Sequence, residues 1–177
     1  DEIRFADGTV WKWDEVIGRK VVRGTNGNDS LRASSYAGEK VTVYGLGGND
    51  FLYGGNGEDV FIPGTGSNTV YARSNYEGGG KKTFVWNVGD GNSGVGYYNE
   101  ARAPGDGLGA LRFGAGVNPS DVEVRNSGAN VVFVVTLGGV SGSVTFVNAN
   151  IGDIRYQLDE IRFIDGTVWQ WATMPRQ

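Results

Sequence analysis

Gly45-Leu46-Gly47-Gly48-Asn49-Asp50-Phe51-Leu52-Tyr53 runs straight into Gly54-Gly55-Asn56-Gly57-Glu58-Asp59-Val60-Phe61-Ile62. These are two consecutive nine-residue units of one form. Each has glycine at its first and fourth positions, aspartate at its sixth and an apolar residue at its eighth. The glycine-rich turn lets backbone carbonyls crowd inward, and the aspartate supplies charge. The apolar residue, Leu52 and then Phe61, points toward a core. A unit this short buries too little surface to fold alone, so the pattern demands stacking. Carbonyl and carboxylate oxygens, with no nitrogen or sulfur, are the ligand set of Ca2+.

An earlier copy is Gly24-Thr25-Asn26-Gly27-Asn28-Asp29-Ser30-Leu31-Arg32. A decayed one follows at Pro63-Gly64-Thr65-Gly66-Ser67-Asn68-Thr69-Val70-Tyr71, with Asn in place of Asp. Two units in tandem and two flanking copies resemble the RTX, or haemolysin-type, calcium-binding nonapeptide repeat. That resemblance implies a parallel β-roll in which two units make one coil, so turns 18 residues apart stack on one edge. Asp50 and Asn68 are 18 apart, and Asp29 and Asp50 are 21 apart, the excess falling in Ala33–Tyr44. Asp59 then belongs to the opposite edge. The resemblance also implies the ligands. The earlier of two stacked turns gives its second and fourth carbonyls and its Asp; the later gives its first and third carbonyls and its Asp. The first site would use Thr25, Gly27 and Asp29 with Gly45, Gly47 and Asp50. A second would use Leu46, Gly48 and Asp50 with Pro63, Thr65 and Asn68, weakened by the neutral Asn68. A third would use Gly54, Asn56 and Asp59 with an incomplete partner turn near Glu39; Glu77 lies near the next turn on that edge. The expected load is about one to three Ca2+ ions.

The chain has 177 residues, with 31 glycines and only 4 prolines. Val, Thr, Phe, Tyr and Trp are abundant, which favours turns and strands over helices. It has no Cys and no His, which removes disulfides, thiolate chemistry, imidazole bases and a Ser-His-Asp triad. The net charge of −4 argues against nucleic-acid binding and suits a cation binder. The 12 Asp and 8 Glu are few for a long calcium-loaded roll. No stretch approaches the ~18 apolar residues of a membrane-spanning helix.

The chain nearly repeats its beginning at its end. Residues 1–13 read DEIRFADGTVWKW and residues 159–171 read DEIRFIDGTVWQW, with 11 of 13 positions identical at an offset of 158. An array of modules about 158 residues long explains this better than two similar strands of one domain. Each copy reads as a hairpin with Asp-Gly as a two-residue type I′ turn. That turn sets Arg4 opposite Trp11, Phe5 opposite Val10 and Arg162 opposite Trp169, and it places an Arg over an indole. The two copies are expected to bury Phe5 and Phe163 alike.

Residues 76–177 change character after Gly78-Gly79-Gly80. Strand-like runs follow at Thr83–Trp86, Gly109–Phe113, Val122–Val124, Val131–Leu137 and Ser143–Val147. The pieces Gly89-Asp90-Gly91, Leu111–Val117, Asp121-Val122, Val144–Asn148 and Ile161–Trp169 resemble the region after the repeats in haemolysin-type calcium-binding proteins. Where that family often has a second acid after Gly-Asp-Gly, this chain has Ser93.

The sequence thus predicts an all-β chain, a short calcium-binding parallel β-roll joined to an antiparallel β-rich segment. Residues 1–17 are read as the end of a preceding module, 18–75 as the roll and 76–177 as the antiparallel segment. The expected role is a structural module of a large secreted or surface protein: a stalk, adhesin or surface layer. The resemblance implies type I secretion as an unfolded chain that folds in external calcium. Neighbouring modules are the expected partners. A cell-surface or extracellular polysaccharide is the alternative, given Trp11, Trp13, Trp169, Trp171 and Tyr97-Tyr98, although a core or junction role suits the tryptophans better. No catalysis is expected, because the Asp14-Glu15 and Asp159-Glu160 pairs are strand neighbours that face opposite sides.

Overall fold

The computed structural model describes residues 2–12, 20–34, 38–72, 80–96, 109–150, 152 and 157–176. Trp13, Asp14-Glu15, Glu77 and Tyr97-Tyr98 lie outside them. Among the described residues, regular structure is strand, apart from one 3-10 turn at Pro119–Asp121. Strands β1 (Glu2–Arg4) and β2 (Val10–Lys12) form a small sheet of their own; the others form two sheets of seven.

From β3 onward the chain deals its strands to the two sheets in alternation. One sheet takes β3 (Lys20–Arg23), β5 (Val41–Tyr44), β7 (Val60–Ile62), β9 (Lys82–Trp86) and β11 (Gly109–Phe113). The other takes β4 (Ser30–Arg32), β6 (Phe51–Tyr53), β8 (Ser67–Tyr71) and β10 (Asn92–Gly96). Neighbours pair in parallel throughout. This is a parallel β-roll with two short strands per coil. A nine-residue unit leaves only three residues for a strand once its turn is made, as in β6 and β7. Then β12 (Val122–Ser127), β13 (Asn130–Leu137) and β14 (Val140–Phe146) form an antiparallel meander, and β14 returns parallel to β10. Finally β15 (Glu160–Arg162) lies parallel to β11, and β16 (Val168–Gln170) folds back antiparallel on β15.

Parallel pairing therefore does not stop at residue 75 but runs on to Phe113. The glycine code ends earlier, yet pairing needs only an alternating strand. Lys82–Trp86 alternates buried and half-buried residues as Val41–Tyr44 does. In the body of the fold, antiparallel structure among the described residues is confined to Val122–Phe146 and the closing hairpin.

The inner faces of the two sheets make one core. Leu52, Phe61 and Val70, the apolar residues of three repeat units, are all fully buried. Each such side chain stabilises the fold by about 1.5–3 kcal/mol. Phe61 stacks on Phe84 at 5.8 Å, and Phe84 meets Phe146 edge-on at 5.4 Å, which joins roll to meander. Phe113 stacks on Phe163 at 5.2 Å, which joins roll to closing hairpin. Where turns stack, backbone meets backbone. Gly66 has φ +99°, and a Cβ there would lie 2.0 Å from the Gly48 carbonyl oxygen. Gly66→Ala is expected to cost about 2 kcal/mol or more, read as a lower urea midpoint at unchanged slope.

The two hairpins share a turn that differs from the expected one. Ile3 faces Trp11 and Arg4 faces Val10; likewise Ile161 faces Trp169 and Arg162 faces Val168. The loop has three residues, closed by Phe5 N–H donating to Thr9 O and Phe163 N–H donating to Thr167 O. A type I′ turn needs positive φ at both central residues, but only Gly8 (+87°) and Gly166 (+90°) have it here. Asp7 and Asp165 instead accept the N–H of Thr9 and Thr167. Each arginine makes an ion pair along its own strand, Arg4 with Glu2 and Arg162 with Glu160. Burial also differs between the copies. Phe163 is 5% exposed but Phe5 is 41% exposed. The expectation of equal burial fails because β15 pairs with β11 and covers the core, whereas among the described residues β1 pairs only with β2.

Candidate metal centre

One edge of the roll stacks the sixth residue of successive turns in register. The pairs that follow are Ser30 with Phe51 and Phe51 with Thr69, so Asp29, Asp50 and Asn68 stand in one column. Ser93, paired with Asn68, continues it. Hydrogen bonds tie the column: Asp29 N–H donates to Asp50 Oδ1 at 2.9 Å, and Asp50 N–H donates to Asn68 Oδ1 at 3.0 Å. A second ladder, which the sequence reading missed, runs beside it. Asn49 N–H donates to Asn28 Oδ1 and Ser67 N–H to Asn49 Oδ1. Its signal was Asn at the fifth position of two units.

The column fits a hard cation at its acidic end. Asp50 is 1% exposed, and its Oδ2 has no hydrogen-bond partner, which is costly for a carboxylate without compensation. The missing side chains of two glycines mark where oxygens converge. A Cβ on Gly45 would lie 2.5 Å from Asp50 Oδ2 and 2.2 Å from Pro63 O. A Cβ on Gly24 would lie 2.7 Å from Asp29 Oδ2 and 2.6 Å from Gly45 O. Expected ligands of the first two sites therefore come together pairwise, Asp29 with Gly45 and Asp50 with Pro63. Gly27 O would lie 2.5 Å from a Cβ on Gly48. Thr25 O accepts from Gly47 N–H, and Leu46 O accepts from Thr65 N–H, so each keeps a lone pair. Asn68 is turned inward, its Nδ2 donating to Gly64 O. No cluster of three acidic side chains occurs among the described residues, so carbonyls would have to complete a coordination shell.

The opposite edge is built differently. Asp59 is fully buried, its Oδ2 accepts from Gly55 N–H, and its Oδ1 has no partner. From the pairs Thr42 with Val60 and Val60 with Thr83, its column neighbours are Val41 and Lys82. Of the third site's carbonyls, Asn56 O accepts from Gly80 N–H. The Gly54 N–H donates to Tyr71 O. Glu39, on the partner turn, pairs with Lys20 at 2.8 Å.

Burial holds the Asp50 carboxyl above its ordinary range, and the Asp29 charge adds to this against the Asp29 N–H bond. Burial also raises Asp90, opposed by hydrogen bonds from Asn87. A carboxyl raised by folding holds more protons folded than unfolded, so its stabilisation is complete below the unfolded pKa and is lost as pH rises through the folded one. Exposed Asp7 and Glu123 shift downward, through Thr9 and Arg125 respectively, and weigh little in solvent. Without metal, the melting temperature is expected to rise as pH falls from neutral toward the carboxylate range. In saturating calcium the trend reverses, because protons compete for Asp50. Thermal melts across pH, with and without chelator, check both.

Several of the described aromatic residues are engaged in packing. Trp171 is buried against Phe133, and Trp169 meets Phe163 edge-on at 4.7 Å. Along the strands of the roll, Tyr53 stacks on Tyr71 at 5.1 Å, and Arg23 and Arg32 lie over Tyr44 and Tyr53. No helix among the described residues is long and apolar enough to cross a membrane.

Among solved structures, the chain is similar to the crystal structure of the extracellular lipase LipA from Serratia marcescens, with a TM-score of 0.51 and 24% identity. The match covers 78% of this chain but 20% of the lipase chain, so the shared part is the fold of a fifth of that protein. No curated protein matches the sequence. A family profile described as RTX calcium-binding nonapeptide repeat (4 copies) matches residues 42–70, from within β5 to within β8. With its parallel coils, glycine turns and stacked carboxylates, this chain carries RTX calcium-binding nonapeptide repeats.

Proposed function

We propose that this chain is a calcium-dependent structural module of a larger secreted or cell-surface protein, without catalysis of its own. The observation that carries the proposal is the buried, unpartnered Asp50 Oδ2 beside Pro63 O, in a column that also holds Asp29. One ion is proposed between the turns of residues 24–29 and 45–50, held by Thr25, Gly27, Asp29, Gly45, Gly47 and Asp50. A weaker one between 45–50 and 63–68 would use Leu46, Gly48, Asp50, Pro63, Thr65 and Asn68. The column loses its charge as it goes on to Asn68 and Ser93, so binding is confined to its early turns. Folding would then follow export into millimolar calcium, as an unfolded chain leaving by a type I system. Calorimetric titration with Ca2+ and then Mg2+ tests this. Tight binding of one or two Ca2+ with weak Mg2+ response is expected, since Mg2+ wants a small octahedron and keeps its waters. Absence of Ca2+ binding would defeat it.

The near-identity of residues 1–13 and 159–171 supports a place in a tandem array. The open hairpin fits that reading: Ile3, Phe5 and Val10 lie exposed, although their C-terminal counterparts Ile161 and Phe163 are buried. Residues 1–17 are then the close of a preceding module. The resemblance to an extracellular lipase favours a second reading, a calcium-binding module attached to a secreted enzyme. The sequence on either side of this chain separates the two.

A further inference from the structure

We propose that the second edge of the roll is locked by a tethered ammonium, Lys82, in a place where the first edge is built for a metal ion. Lys82 is 3% exposed, and no other Lys or Arg among the described residues is buried. Its Nζ donates to Gly55 O at 2.8 Å, to Gly57 O, and to Asp59 Oδ2 at 3.0 Å. Gly55 and Gly57 are the second and fourth residues of their turn, and Asp59 is the sixth. On the first edge those positions are Thr25, Gly27 and Asp29. Two turn carbonyls and one carboxylate therefore converge on one positive charge.

Register makes the substitution explicit. Thr83 N–H donates to Asp59 O at 2.9 Å, as Phe51 N–H does to Asp29 O and Thr69 N–H to Asp50 O at 2.8 Å. Lys82 thus stands over Asp59 as Asp50 stands over Asp29. Two stacked carboxylates need a cation between them; a lysine stacked on a carboxylate brings its own. Among the described residues, two turn carbonyls and the Asp59 carboxylate accept from this ammonium. An amine tied to the chain needs no free ion, so this edge is set whatever the calcium concentration. The roll then has one calcium-sensing edge and one calcium-independent edge.

Native mass spectrometry of the full chain and of Lys82→Asp in excess Ca2+ tests this. The variant restores a second carboxylate over Asp59, and it is expected to bind one more ion than the parent. It should also melt lower than the parent in chelator and recover in calcium. Lys82→Met should gain no ion and melt lower with and without calcium alike. A folded Lys82→Asp that binds the parent's number of ions overturns the inference. If that variant does not fold, amine acetylation of the unaltered chain decides: Lys82 should react at least about a hundredfold more slowly than exposed Lys81, and equal rates overturn the inference. The ion count rests on the calcium reading of the first edge, which Asp50→Ala checks separately. Ions lost in Asp50→Ala but none gained in Lys82→Asp would sink the tethered ammonium alone.

Discussion

Chelation of calcium from the purified chain is expected to lower its melting temperature sharply and to weaken its strand signal. Asp50→Ala is expected to do nearly the same with calcium present. Without a cation, Asp29 and Asp50 repel along one column, and Asp50 is held there with Oδ2 unpartnered. The turns are rich in glycine, which loses more backbone entropy on ordering than any other residue. An ion bound only by the folded state, at a hundred times its dissociation constant, contributes about 2.7 kcal/mol, so two contribute about 5 kcal/mol. A domain's whole stability is about 5–15 kcal/mol. Losing both ions is therefore decisive, and losing one is serious. Asp50 stands between two stacked turns, so Asp50→Ala should remove both ions, where Asp29→Ala removes one. Asp90→Ala should leave the ion count unchanged, because its carboxylate caps Asn87 and the column beside it holds Ser93. Circular dichroism and calorimetry through a chelator and calcium cycle read all of this. A melt indifferent to chelator, or an Asp50→Ala chain that binds as many ions as the parent, would rule it out.

The periodic part of this fold was legible because the repeat states its own geometry. Leu52, Phe61 and Val70 declare a core side, and Asp29, Asp50 and Asn68 declare an edge through their spacing. The rest depended on pairings that no local pattern encodes. The roll's extension through Lys82–Trp86 was hidden because those strands carry the alternation without the glycine turn. Asp-Gly signals a tight turn but fits a two-residue or a three-residue loop, and the structure chose the latter, shifting each hairpin by one partner. Lys82 was invisible as a site residue for two reasons. Its distance from Asp59 is 23 residues, not 18, because the connection before it is longer. A lysine is also ordinarily a solvated residue, and only stacking of one coil on the next buries it.

Phe163→Ala is expected to destabilise the chain by about 3–5 kcal/mol, and Phe5→Ala by less than about 0.5 kcal/mol, although the two occupy equal places in near-identical stretches. Phe163 is buried against Phe113 and Trp169, so its removal leaves a cavity between the roll and the closing hairpin. Phe5 is 41% exposed on a two-stranded sheet. In a chain of this size the difference is about 10 °C in melting temperature. What sequence identity cannot distinguish, the strand beside each hairpin does: β11 completes one and nothing described completes the other. The array reading turns this asymmetry into a test. If residues 1–13 are the last hairpin of a preceding module, then placing a copy of residues 1–158 directly before this chain gives Phe5 the surroundings Phe163 has now. In that two-module protein Phe5→Ala should cost as much as Phe163→Ala does here. Were Phe5→Ala to stay silent there while both modules melt cooperatively, the two copies would be a resemblance of strands and not the seam of an array.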